Sequence, residues 1–83
     1  MATQIDREVA DLVLKAMGDA EVSRASLALK SGIPLTTLRR KLDALVGFNF
    51  EELYRVAGAL GVMPSQFTPE LFAKPVSAEK RAA

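Results

Sequence analysis

The sequence predicts an all-α fold, a compact bundle of five helices, and three observations carry that prediction. Apolar residues recur at spacings of three and four, with no alternating stretch of the kind a half-buried strand requires. The chain has only four phenylalanines and one tyrosine, so its core must come from Leu, Val, Ile and Ala, which suit packed helices better than a sheet. Its four prolines and five glycines act as punctuation. At 83 residues the chain fits one domain, and a domain of that size buries only somewhat more than about 60% of the surface its unfolded chain exposes.

Ile5, Val9, Leu12, Val13, Ala16 and Met17 lie on one face of a first helix, Gln4 to Met17. Thr3 is placed to cap its start and Gly18 to end it, and Asp6 and Glu8 suit the positive end of its dipole. After a linker, Asp19 to Val22, Ser23 offers its hydroxyl to the free N–H groups of a second helix whose inward face is Leu27 and Ala28, with Leu29 at its edge. That helix stops near Ser31, because Gly32 follows and Pro34 cannot continue it. Pro34 presets the backbone for a third helix, Leu35 to Leu45, with Leu38, Leu42 and Leu45 stacked at spacings of four and three.

Gly47 breaks the pattern. Asn49 followed by Glu52 resembles a capping box, with Phe48 placed to staple against Leu53, so a fourth helix runs from Phe50 to Leu60. Its core face is Leu53, Val56, Ala57 and Leu60, and Gly61 stands where a left-handed cap is wanted. A fifth helix fits between Ser65 and Ala73, begun by Ser65 after Pro64 or by Thr68 before Pro69. It presents Phe67, Leu71 and Phe72, which we assign to the core, a dimer patch being the alternative. The domain therefore spans residues 1–73. Residues 74–83, with Pro75, small side chains and three cations, bury too little apolar area to offset the entropy of ordering them and are expected to form a flexible tail.

Composition narrows the function classes. With neither cysteine nor histidine, the chain has no thiolate or imidazole for a metal and lacks the usual general base. No Gly-rich phosphate loop is present either, so no enzyme is expected and no cofactor. No run approaches the roughly 18 apolar residues of a membrane span, and the N-terminus has neither the basic start nor the hydrophobic segment of a signal peptide. The expected location is cytoplasmic.

Charge is distributed unevenly behind a net +1. The first 21 residues carry Asp6, Glu8, Asp11, Asp19 and Glu21 against Arg7 and Lys15, whereas Val22 to Leu42 carries Arg24, Lys30, Arg39, Arg40 and Lys41 and no acid. An isolated charge run is usually a solvated face, but solubility alone would intersperse acids. Two helices joined by a short Gly-containing turn cross steeply, and such a unit can lay its second helix in a DNA major groove about 12 Å wide. Arg39 and Arg40 have planar forks suited to guanine O6 and N7, and Thr36 and Thr37 can bond to bases or phosphates, or cap the third helix. Leu35 either meets a thymine methyl or belongs to a small core patch. Arg24 is mildly unfavourable beside a positive helix end, a mismatch that a phosphate would relieve. Lys41 is expected at the DNA backbone or turned back along the bundle, Lys30 is read as a surface residue, and Asn49 as a cap first.

The spacing Ala28, Gly32, Leu38, with Ile33 after the glycine, and the later run Phe50 to Val62 (Phe-Glu-Glu-Leu-Tyr-Arg-Val-Ala-Gly-Ala-Leu-Gly-Val) resemble the Cro and lambda-repressor type of helix-turn-helix domain, XRE-like, over roughly residues 4–73. Ala28, Gly32 and Leu38 match the scaffold roles of close helix approach, turn and core anchor. The resemblance implies a phage or bacterial repressor of Cro size, or an isolated DNA-binding domain, that binds double-stranded operator DNA as a homodimer. Carried over by position, it puts Leu35, Thr36, Arg39 and Arg40 at the bases, Arg24 near a phosphate, and Asn49 in a loop at the DNA backbone. Leu35 departs from the Gln or Ser often found there. The competing function is a protein-interaction adaptor, antirepressor-like or antitoxin-like, that offers the same basic surface to an acidic partner.

Overall fold

The computed structural model describes residues 3–73 and Pro75. It is all-helical over those residues: α1 (Gln4–Ala20), α2 (Arg24–Ser31), α3 (Leu35–Leu42) and α4 (Phe50–Leu60), followed by two 3₁₀ turns, Pro64–Phe67 and Glu70–Ala73. Apart from Pro75, the expected tail lies outside the described residues. No helix among those residues is long and apolar enough to cross a membrane.

Local capping chemistry starts three of the helices. Thr3 Oγ1 accepts the Asp6 N–H at 3.1 Å while the Asp6 carboxylate accepts the Thr3 N–H at 2.9 Å. Asn49 and Glu52 make the same reciprocal pair at 2.8 and 2.9 Å, and Ser23 Oγ accepts the Ser26 N–H at 3.1 Å. Each arrangement satisfies donors that a helix start would otherwise leave free.

Helix ends are set as much by the core as by glycine. α1 runs through Gly18 to Ala20 instead of stopping at Met17, and Glu21 takes the left-handed conformation, φ 55°. The Val22 N–H then reaches back to the Met17 carbonyl at 3.0 Å and Val22 packs against the core, the apolar contact that accompanies this kind of cap. α4 repeats the device with Gly61 and Val62. α3 stops at Leu42, three residues before the expected Leu45, because Ala44 adopts φ 59° and places its methyl in the core. The chain turns there and Leu45 is left exposed.

The fifth helix is corrected to the two 3₁₀ turns. Pro69 lacks an N–H and disfavours helical backbone at the residue before it, and Thr68 is extended, φ −79° and ψ 128°. Phe67 is fully buried, whereas Leu71 and Phe72, expected in the core, stay largely exposed.

α2 packs on both α3 and α4, while α1 packs on α3, α4 and the first 3₁₀ turn. Val13, Leu27, Leu38, Leu42, Val56 and Phe67 are the large side chains fully removed from water. Burying a Leu or Val in this way stabilises by about 1.5–3 kcal/mol, so Leu38 and Leu42 are what fasten the short α3 to the bundle.

Candidate nucleic-acid interface

Gly32 lets α2 turn into α3. Its φ of 76° is left-handed and no atom lies within 4 Å of where a Cβ would be, so glycine is needed for conformation and not for space. Beside it, the buried Ser31 hydroxyl accepts the Ile33 N–H at 3.3 Å and secures the turn, a role the Ser-Gly pair signals in the sequence. Ala28 is buried on α2 and Leu38 on α3, which places all three scaffold residues where the two helices meet.

No side chain caps the start of α3, so neither Thr36 nor Thr37 serves there, and its first turn holds no acid. Thr36 is exposed and Thr37 partly so. One turn further on, Arg39 and Arg40 are both exposed, and among the described residues no acid lies within 4 Å of either guanidinium. α3 therefore presents uncapped backbone N–H groups at its start and exposed guanidinium groups in its last turn to whatever lies over it.

Three of the residues carried over to DNA are engaged by the protein itself. Lys41 turns inward: its Nζ lies 3.0 Å from Glu52 Oε1, donates to the Gly47 carbonyl at 2.8 Å and stands 5.9 Å from the Phe48 ring centroid. Its side chain is 12% exposed and that of Glu52 18%, so the lysine expected at a phosphate is instead a bond between α3 and α4. The cause is the steric order of a helix face: on α3, Leu38 and Leu42 point to the core and carry their neighbour Lys41 to its rim. Leu35 is half-buried against the core and lines a shallow recess with Ala25, Ala28 and Ile33, which is the packing role left open for it. Asn49 is a cap, with its side-chain oxygen committed to the Glu52 N–H.

Arg24 occupies the first turn of α2 and is paired with Asp43 just after α3, at 3.6 Å, with both side chains well exposed. Arg7 reaches the same corner, donating to the Asp43 carbonyl at 3.3 Å. Neither Asp43 nor Glu52 stands out in the sequence as a partner for these cations, because each becomes one only through the crossing of two elements. Among the described residues no group of three or more acids could hold a metal ion.

The exposed cations and the acid-free first turn thus lie on one short helix, held from behind by Leu38, Leu42 and the Lys41 to Glu52 bond. Compared with family models, with curated proteins and with solved structures, the chain matches none.

Proposed function

We propose that this chain is a sequence-specific DNA-binding regulator of transcription, of the Cro and lambda-repressor helix-turn-helix type, which lays α3 in the major groove of an operator. One observation carries the reading. In a protein whose other cations often find acids, Arg39 and Arg40 stay exposed on a helix with no acid in its first turn. Cations left unpaired on one face suit a polyanion, whose phosphates supply the affinity while base edges supply the choice.

Arg39 and Arg40 are the base readers in this arrangement, with Thr36 beside them and the exposed part of Leu35 at the apolar edge. Thr37, the uncapped N–H groups of α3 and Arg24, once released from Asp43, contact phosphates. A homodimer would set two such helices about 34 Å apart, one turn of the duplex, on a near-palindromic site.

Selection of bound fragments from random double-stranded DNA tests the reading. The expected product is an enriched, near-palindromic sequence bound with steep salt dependence. Retention no tighter than about 10⁻⁴ to 10⁻⁶ M, with no fragment enriched, would overturn it in favour of an adaptor that grips an acidic protein.

A further inference from the structure

All five aromatic side chains of the protein, Phe48, Phe50, Tyr54, Phe67 and Phe72, line one groove of about 470 Å³ between the first turns of α1 and α4 and the two 3₁₀ turns. Phe67 is buried in its floor and Phe48 half-buried, but Phe50, Tyr54 and Phe72 are 80%, 71% and 54% exposed. A small domain short of aromatic residues would gain stability by burying these rings, so leaving three of them in water marks the face as one built for contact. Ile5 at the rim and Leu71 in the adjoining recess extend the apolar surface.

We propose that this face binds a second copy of the chain, in a two-fold pairing that sets the two α4 helices antiparallel. Area and charge both point to that occupant. The exposed parts of Ile5, Phe50, Tyr54, Leu71 and Phe72 amount to roughly 600 Å² of residue surface, about three-quarters of the 800 Å² or so per partner in an interface of standard size. Glu51 and Arg55 pair with each other along one flank of the stripe formed by Phe50 and Tyr54. A two-fold axis between antiparallel helices brings identical flanks together, so Glu51 of one copy faces Arg55 of the other, and the reverse contact forms as well. The flank is therefore complementary to itself. Thr36, Arg39 and Arg40 do not line the groove, so the face can be occupied while α3 is engaged.

The inference rests on the dimeric half of the DNA-binding reading and not on DNA binding itself. It is tested without DNA, by sedimentation equilibrium of the whole chain across a concentration series. The parent is expected to move to the mass of a dimer. Phe50→Asp combined with Tyr54→Glu should raise the dissociation constant more than about tenfold while leaving helical circular dichroism in place and, since both residues are exposed, a melting curve that matches the parent's at dilutions where the parent is monomeric. Glu51→Arg and Arg55→Glu should each weaken the dimer, and the two together should restore it. A parent that stays monomeric, an aromatic variant that dimerises like the parent, or a double reversal that recovers nothing would overturn the proposal. If a monomeric protein still selects a half-site from random DNA, only this proposal falls; a dimer that selects no fragment removes the DNA reading alone.

Discussion

Lys41 and Glu52 form an ion pair at 3.0 Å that is almost out of water, and the Glu52 oxygen that receives the ammonium also accepts the Asn49 N–H at 2.9 Å. One carboxylate thereby joins the last turn of α3 to the cap of α4. With the Lys41 bond to the Gly47 carbonyl, it closes the connecting loop on itself. A charge buried this far is costly once its partner is removed.

Lys41→Met or Glu52→Gln should therefore each destabilise the protein by about 1–3 kcal/mol in urea unfolding, and the double variant should lose less than the sum of the two. Strict additivity would show that the pair is not coupled. Lys41→Met should also leave the salt dependence of DNA binding unchanged, whereas a lysine on a phosphate would lower the slope by about 0.9.

Arg39→Ala should behave in the opposite way. The side chain is exposed and unpaired, so stability should change by no more than about 0.5 kcal/mol. Binding to the selected operator should fall by about 1–3 kcal/mol and discrimination should flatten at one base pair. An Arg39→Ala protein that binds every sequence as well as the parent would remove Arg39 from the bases.

Asp43→Asn releases Arg24 and removes an anion from the end of α3, where the helix dipole already disfavours it. DNA affinity should rise on all sequences alike, because Arg24 then reaches its phosphate without first leaving Asp43, while the salt slope should stay that of the parent. Fluorescence anisotropy at several salt concentrations reads both quantities. An unchanged affinity would mean that Arg24 never reaches the backbone.

Glu21→Gly should stabilise. Glu21 holds a left-handed φ of 55° at the C-terminal end of α1, costing about 1–2 kcal/mol that glycine avoids, and its charge opposes the dipole. The greater freedom of glycine in the unfolded chain offsets about 0.4–1 kcal/mol of the gain. A net gain near 1 kcal/mol would raise the melting temperature by about 4–8 °C in a domain of this size. A lower melting temperature would show that the Glu21 side chain contributes a contact worth more than the strain.

Much of the fold was legible residue by residue. Ser23 before α2, the Asn49 and Glu52 pair before α4, and Gly32 and Gly61 after those helices mark boundaries that the structure reproduces, since each cap involves atoms within a turn of one another. The misplaced boundaries have a common origin. Gly18 did not end α1, and Leu45 did not extend α3, because Val22 and Ala44 had core positions to fill and the backbone turned where they could reach them. Pro69 was read as a possible helix start, yet its restriction on Thr68 divided the segment into two 3₁₀ turns.

The candidate site was legible as a charge pattern but not as a set of free charges. Composition along the chain separated a basic middle from an acidic start, and helical periodicity put Leu38 and Leu42 on the buried side of α3. Which cations remained available was decided by tertiary structure: Lys41 met Glu52, Arg24 met Asp43, and Arg39 and Arg40 met no acid among the described residues. The physical reason is range. A helix, its caps and its apolar face depend on neighbours a few residues away, which the order of amino acids specifies directly; an ion pair between elements, or an aromatic face left in water, depends on the angle at which helices cross, and only the packed core sets that angle.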